Sequence, residues 1–166
     1  MSTSTLKNSL NDLQHELETT RRVLERIPED HLTWKPHPKS MTLGGLGQHI
    51  ANLLYWMQTT LEQPEYDLAS GPSVLGEPEN REEILQRFET NAAAVRKAFD
   101  AVDDEALRET WVLRHGDNVI MKQPRVGVMR SACISHMIHH RGQLSVYLRL
   151  LDIPVPSIYG PSADES

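Results

Sequence analysis

Residues His136–Leu144 read HMIHHRGQL and lie midway along a segment with the apolar periodicity of a long helix. His136 and His140 are four residues apart, so on an α-helix their side chains lie about 40° apart around the axis and one turn apart along it. Such a pair on a rigid helix brings two ring nitrogens within reach of one metal ion. The same stripe, which we expect to face the protein interior, also holds Met129, Cys133 and Tyr147.

A third histidine on another segment is the best candidate for a further ligand. His49 lies in LGGLGQHIANLLYW, and its own helical face contains Leu46, Leu53 and Trp56. Three neutral imidazoles from two helices would leave one or more coordination positions open, which is the pattern of catalytic rather than structural zinc sites. The alternative is that these histidines are hydrogen-bonded core residues, although burying three imidazoles without partners costs on the order of several kcal/mol.

Residues beside the pair have more than one interpretation. Cys133 is either a fourth ligand, since thiolate suits zinc, or a small buried apolar residue. His139 lies about 80° from the centre of the stripe, and we expect it to hydrogen-bond around the site rather than to bind metal. Gln143, one turn from His140, would orient a metal-bound water or ligand, or would be a core amide. Arg141 points away from the proposed metal face, and we expect it to form a structural ion pair.

The helix that carries His136 and His140 is the last of four helical segments. It begins near Pro124 or Arg125 and ends near Leu151, before the sequence DIPVP. The segment before it has Asn80 as its N-cap candidate and two glutamates in the first turn, where the helix dipole favours them. The apolar stripe of that third segment consists of Ile84, Phe88, Val95, Phe99 and Val102.

The first two helical segments have equally clear ends. The first is stopped by Pro28, and the second begins after Thr42, a good N-cap residue, and fades near Pro64. The apolar stripe of the first consists of Leu6, Leu10, Leu13, Leu17, Leu24 and Ile27.

Long connections separate the four segments. Two short β-prone runs flank Arg114–Asn118 (RHGDN) and indicate a small hairpin before the last helix. Four helices with long connections predict an all-α four-helix bundle, with residues 1–166 forming a single domain. The connections cover residues 28–41, 62–79 and 110–123.

Composition excludes several classes of function. The net charge of -6 argues against nucleic acid as a partner, because phosphate binding needs a basic face. A single cysteine allows no internal disulfide. The first 18 residues contain no apolar stretch of the kind found in signal peptides, and no apolar run approaches the ~20 residues that span a membrane. We therefore expect a cytoplasmic protein with no membrane partner.

The chain resembles the DinB-like (DNA-damage-inducible, YfiT-like) superfamily. The residues that carry the resemblance are HMIHHRGQLSVYLRLLDIPVPSIYG (136–160), SMTLGGLGQHIANLLYW (40–56) and LTWKPHP (32–38). It implies a four-helix bundle of up-down-down-up topology, usually a homodimer. It also implies one divalent metal ion per chain held by His49, His136 and His140, with zinc and nickel the ions best suited to imidazole.

The resemblance includes branches of thiol-dependent S-transferases and isomerases that use low-molecular-weight thiols such as bacillithiol or mycothiol. Position 137 is Met137, so the helix lacks the H-E-x-x-H motif and the general base of a metalloprotease. We expect a metal-dependent thiol transferase or hydrolase, in which a metal-bound water or thiolate attacks a small-molecule electrophile. The alternatives are a non-catalytic module of the stress response that binds metal or a small ligand, and a purely structural bundle.

Surplus apolar residues also bear on assembly. Leu54 and Met57 lie beside Leu53, and Leu148 and Leu151 lie beside Tyr147, which is more apolar surface than one narrow stripe needs. Together with the resemblance, this predicts a homodimer with some of these residues at a two-fold interface.

Overall fold

The structure is a computed structural model that describes residues 5–70 and 76–166. Its first helices are α1 (Thr5–Asn8), α2 (Leu13–Leu24), a 3₁₀ turn (Glu29–His31), α3 (Leu43–Glu62), α4 (Arg81–Ala101) and α5 (Asp104–Arg108). The last helix runs through α6 (Arg125–Val128), a π-helical segment (Met129–Ser135) and α7 (His136–Leu150). The strands are β1 (Glu65–Asp67), β2 (Thr110–His115) and β3 (Asn118–Pro124).

Helices α3 and α4 each begin with a side-chain N-cap at the residue that the sequence predicts. Thr42 Oγ1 accepts the N–H of Gly45 at 3.0 Å, and Asn80 Oδ1 accepts the N–H of Glu83 at 2.8 Å. The first segment is not one helix, because the chain turns between α1 and α2. The Asp104 carboxylate accepts the backbone N–H groups that begin α1, so a distant residue rather than a local signal holds this short helix in place.

The core lies between α2, α3, α4 and α7. Helix α3 packs against α4 and α7, and α2 packs against the same two helices. Gly47 lets α3 approach its neighbours closely, since a Cβ atom there would lie 2.7 Å from Ile27 Cδ1 and 3.1 Å from Ile84 Cδ1. None of the helices in the described part of the chain is long and apolar enough to cross a membrane.

A three-stranded mixed sheet stands beside these helices, so the prediction of an all-α four-helix bundle is wrong. Strands β2 and β3 form the antiparallel hairpin that the sequence predicts, with Gly116 at φ 57° in its turn. Strand β1 pairs in parallel with β2 and lies within residues 62–79, which we expected to be a connection without secondary structure. Three residues are too few to show a strand period, and their pairing joins segments more than forty residues apart in sequence.

Three of the four apolar residues proposed for a dimer interface lie in the core of the single chain. Leu54, Met57 and Leu148 are each fully buried within it. These three side chains therefore cannot also contact a second copy. Leu151, the fourth residue proposed, is half-buried, and the homodimer stays a prediction. The exposed apolar residues of α7 are instead Val146 and Leu150.

A buried ion pair joins α7 to α2, as predicted for Arg141. The side chains of Arg141 and Glu16 are 1% and 5% exposed, and Arg141 Nη1 lies 2.7 Å from Glu16 Oε2. Arg141 Nη2 donates to the Tyr159 hydroxyl at 2.7 Å, and that hydroxyl donates to Glu16 Oε1 at 2.8 Å. Thr20 Oγ1 accepts a further hydrogen bond from Arg141 Nη1. The two buried charges thus compensate each other inside the protein, as buried charges must, although Glu16 Oε2 accepts no hydrogen bond among the described residues.

Removing one partner of this pair should destabilise the protein strongly. We expect Arg141→Met to lower the free energy of unfolding by about 3–5 kcal/mol, because Glu16 is left as a buried charge without its cation. The double substitution Arg141→Met with Glu16→Leu should recover much of that loss. Arg149→Met is the control. Arg149 lies on the same helix and pairs with Asp164 near the surface, so its loss should cost under about 1 kcal/mol. Urea denaturation measures the free energy of unfolding of all three variants. The expectation would be contradicted if Arg141→Met alone were as stable as the double variant.

Candidate metal centre

Three histidines from two helices meet at one point. His49 comes from the first half of α3, and His136 and His140 come from the first two turns of α7. Their ring centroids are 4.5 Å apart for His49 and His140, 4.7 Å for His136 and His140, and 5.4 Å for His49 and His136. One nitrogen of each ring lies within 4.8 Å of the other two. Among the described residues, no other group of three or more histidine, cysteine or acidic side chains is arranged to hold a metal ion.

Hydrogen bonds to the Nδ1 atoms set the tautomers of the α7 pair. His136 Nδ1 lies 3.3 Å from the carbonyl oxygen of Ala132, and His140 Nδ1 lies 2.7 Å from Gln143 Oε1. Both partners are acceptors only, so these contacts favour the tautomer in which each Nδ1 carries the proton and donates it. The lone pair of each ring is therefore on Nε2, which is the nitrogen that faces the centre of the cluster.

The two Nε2 atoms are 2.9 Å apart, so two lone pairs face each other. This contact is repulsive unless a cation, either a proton or a metal ion, lies between the nitrogens. Two imidazoles on one tetrahedral zinc ion, with Zn–N bonds of ~2.0–2.1 Å, would have their nitrogens about 3.3 Å apart. The pair is thus within a few tenths of an ångström of the spacing that a shared ion needs, and the donor set fits zinc or nickel.

The π-helical segment explains why the Ala132 carbonyl is available to His136. In a regular α-helix that oxygen would accept the backbone N–H of His136, four residues later. Here the N–H of His136 donates to Cys133 O instead. The Ala132 oxygen can then accept the side-chain proton of the same residue. Such π segments are rare and are frequent at functional sites.

The same segment places the histidines at the edge of the buried stripe rather than within it. On α7 the buried residues are Met137, Arg141, Leu144 and Leu148, whereas His136 and His140 are half-buried. We expected the two histidines to continue the stripe of Met129 and Cys133. That expectation assumed 100° per residue throughout, and the wider turns of the π segment change the rotation between Cys133 and His136.

Burial and electrostatic repulsion favour the neutral form of His49 and His140. Burial above all, and then the repulsion from positive charge on His140 and His136, lowers the pKa of His49 to about 4. Burial also lowers the pKa of His140, against the opposing effect of its hydrogen bond to Gln143. The charged groups that act on these two pKa values are histidines, not carboxylates. Neutral imidazole is the form that binds metal, so the site holds its donor atoms ready at neutral pH.

The other residues singled out in the sequence lie around the centre in different ways. Cys133 is fully buried with its Sγ atom 3.8 Å from Thr60 Oγ1, and burial raises the pKa of its thiol to about 12. It does not belong to the group of candidate ligands. His139 is exposed, with its ring centroid 4.9 Å from that of His140, and also lies outside the group. The carbonyl of Ala132 was missed, because a backbone acceptor freed by a π segment leaves no signal in the sequence.

Comparisons with known proteins agree on the family and the fold. The model of the DinB family matches residues 1–166, which confirms the resemblance seen in the sequence. The chain is 25% identical over 171 residues to the uncharacterized protein YrdA of Bacillus subtilis (strain 168), covering 97% of this chain and 92% of that protein.

Two solved structures share the fold. A DinB-like protein from Bacillus cereus ATCC 10987 superposes with a TM-score of 0.72 at 20% identity, over 90% of this chain and 95% of the other. The DinB-like protein YjoA from Bacillus subtilis gives a TM-score of 0.64 at 18% identity, over 84% and 90% of the two chains. At these identities the likeness shows the fold alone.

We expect acid to destabilise both the metal-free and the metal-loaded protein in the same pH range. The pKa of His49 is about 4 in the folded state and 6.5 ordinarily, so the unfolded chain binds more protons between these values. The stability that neutral His49 contributes is therefore complete above about pH 6.5 and is lost as the pH falls toward 4. Protons also compete with metal for the same lone pairs, so zinc should be released within this range.

Melting temperatures measured from pH 8 to pH 4, with zinc and with chelator, test this expectation. The zinc-loaded protein should melt higher at neutral pH, because metal that binds only the folded state adds to stability. The two curves should converge in mild acid, and the chelated protein should still fold. Identical melting temperatures at neutral pH would mean that the three histidines are ordinary core residues.

Gln143 should control metal affinity through His140. We expect Gln143→Leu to weaken zinc binding about 10–100-fold, because the Nδ1 proton of His140 loses its acceptor and the ring loses its fixed orientation. Gln143→Glu keeps an acceptor at the same place and should retain or raise the affinity. Gln86→Leu, an exposed glutamine on α4, is the control. Competition with a chromogenic chelator measures the affinities, and equal binding by the Leu and Glu variants would refute this role.

Proposed function

The chain belongs to the DinB family, and from its three converging histidines we propose that it is a divalent-metal-dependent enzyme of the thiol S-transferase or hydrolase type. The observation that carries the proposal is the contact between His136 Nε2 and His140 Nε2 at 2.9 Å, with both Nδ1 atoms engaged elsewhere. A cation at the centre would relieve the repulsion between the two lone pairs, and His49 would supply a third nitrogen donor to it. The family is a metal-binding one in general, which agrees with a cation there.

Three protein ligands favour catalysis over a purely structural role. Structural zinc sites are closed by four protein ligands, whereas catalytic sites keep a position for water or substrate. Cys133, the residue that would have made a fourth ligand, points into the core and is not part of the group. A bound divalent ion supplies Lewis acidity at this open position, which lowers the pKa of a coordinated thiol or water.

The residues around the centre favour an anionic reactant. Among the described residues no carboxylate acts on the pKa values of His49 or His140, and Met137, at the position of the base in H-E-x-x-H, is fully buried. The charge of a divalent ion held by neutral imidazoles is therefore not compensated by the protein. A thiolate or hydroxide would compensate that charge, which supports a thiol or water as the nucleophile and needs no carboxylate base.

The proposed reactants are a small electrophile and a low-molecular-weight thiol. In the transfer reaction the thiol sulfur forms a bond to the electrophilic carbon, and the bond from that carbon to its leaving group breaks. The thiol proton is released to solvent. The role of the protein side chains is to keep the nitrogen lone pairs converged, with Gln143 and the Ala132 carbonyl holding the two α7 rings.

We expect about one zinc or nickel ion per purified chain, and the loss of most of it in His49→Ala, His136→Ala and His140→Ala. Each of these removes one donor nitrogen from a set of three. His139→Ala is the matched control, because His139 is a neighbouring histidine on the same helix that lies outside the group. Elemental analysis after metal supplementation gives the result, and a wild-type protein that takes up no ion would overturn the proposal.

Turnover is tested with the loaded proteins. The wild type and His139→Ala should conjugate an activated aryl halide such as 1-chloro-2,4-dinitrobenzene to at least one of bacillithiol, mycothiol, glutathione and cysteine, or should hydrolyse an activated ester. The three ligand variants should lose activity in proportion to metal. If the protein binds metal but catalyses neither conjugation nor hydrolysis, the proposal of enzymatic activity is refuted, and the protein is a module that binds metal or a small ligand.

A further inference from the structure

A cavity of about 490 Å³ opens where the end of α3 meets the sheet. This volume is within the range of small-molecule sites, about 300–1,000 Å³. The cavity is separate from the histidine cluster. Tyr55, which lines it, follows His49 by six residues on α3, so the two side chains lie about 120° apart around the axis and their Cα atoms about 9 Å apart along it.

Two tyrosine rings form an aromatic wall of the cavity. The ring centroids of Tyr55 and Tyr66 are 6.2 Å apart and their planes meet at 78°. Tyr66 is held from behind by Trp56, with ring centroids 5.5 Å apart. Within residues 5–70 and 76–166, no protein group hydrogen-bonds to either tyrosine hydroxyl. The wall is thus built in the folded chain, and neither hydroxyl is bound to another residue in the described part of the chain.

Arg114, the cation on the cavity wall, is already used by the protein. Its guanidinium donates to Glu65 Oε1 at 2.7 Å, to Asp67 Oδ2 at 2.7 Å and to the carbonyl oxygen of Gly116 at 3.1 Å. Asp67 Oδ1 in turn accepts the N–H groups of Gly116 and Ala69. Arg114, Glu65 and Asp67 therefore form a closed network that ties β1 to β2, and Arg114 is not available to bind an anion.

Glu62 is the carboxylate of the cavity that no cation compensates. One of its oxygens accepts a hydrogen bond from Gln58 Nε2 at 2.9 Å, and no lysine or arginine pairs with it among the described residues. The wall contains three carboxylates, those of Glu62, Glu65 and Asp67, and one cation, Arg114. Its net formal charge is therefore two negative units. Among the described residues these carboxylates do not form a group that could chelate a metal ion. Burial raises the pKa of Tyr66, so its ring stays neutral and electron-rich.

We propose that this cavity is a second ligand site of the protein and that it binds a small organic cation, an ammonium or guanidinium group attached to an apolar body. Aromatic faces attract such cations through the ring quadrupole, and the carboxylate of Glu62 adds charge and a hydrogen-bond acceptor. An anion of the same size would meet uncompensated carboxylates and no free cation. The site depends on neither the metal nor the activity of the histidine cluster.

Calorimetric titration of the full-length protein tests the site with two cations, 2-phenylethylammonium and agmatine, and with phenylacetate as an anion of similar shape. At least one cation should bind in the millimolar range or tighter, with and without chelator, and phenylacetate should not bind. Binding of phenylacetate as tightly as the cations, or no binding of either cation, overturns the proposal.

Substitutions then locate the bound cation. Glu62→Gln should weaken binding about tenfold, whereas Glu105→Gln, an exposed carboxylate on α5 outside the cavity, should leave it unchanged. Tyr55→Leu should weaken binding about 3- to 30-fold, and Tyr55→Phe, which keeps the ring face, should not. Thermal unfolding confirms that each variant is folded. Equal affinities for Glu62→Gln and Glu105→Gln would place the cation elsewhere on this acidic surface and overturn the assignment.

Discussion

Arg141 and Glu16 form a fully buried ion pair, and the rotation of α7 depends on it. A guanidinium in the interior must keep its carboxylate and hydroxyl partners, so α7 cannot turn about its axis without leaving charges unpaired. His140 is the residue before Arg141, and its side chain is consequently directed about 100° away, to the side of the helix where α3 brings His49. The pair that stabilises one face of α7 therefore orients the candidate metal ligands on the next.

The π-helical segment affects both the packing of the last helix and the surroundings of His136. Upstream of it, Met129 and Cys133 are buried in the core, and downstream Met137, Arg141 and Leu144 are. In a uniform α-helix, buried side chains four residues apart would rotate steadily around the axis and leave the core side. The wider turn of the π segment offsets this rotation. Within it the N–H of His136 donates to Cys133 O rather than to Ala132 O, and the Ala132 carbonyl lies 3.3 Å from His136 Nδ1. One irregularity in the backbone thus serves both packing and the orientation of a candidate ligand.

Local chemistry made much of the fold predictable. The caps Thr42 and Asn80 and the Gly116 turn of the hairpin are signals that act within three or four residues, and each begins or turns an element where expected. The prediction of an all-α bundle failed at β1, whose strand conformation depends on hydrogen bonds to β2 and on Arg114 between Glu65 and Asp67. These partners are distant in the sequence, and a segment of three residues is too short to show the alternation by which a strand is predicted.

The sequence by itself determined that His136 and His140 share one side of a helix, because spacing along a helix is a local property. It also singled out His49, since its neighbours at helical spacing are apolar. Only the tertiary structure decided that the three nitrogens converge, that the rings are half-buried rather than in the core, and which nitrogen of each α7 ring carries its proton. Those properties depend on how α3 and α7 pack and on where a backbone carbonyl is left free, and both are set by contacts between residues far apart in the chain.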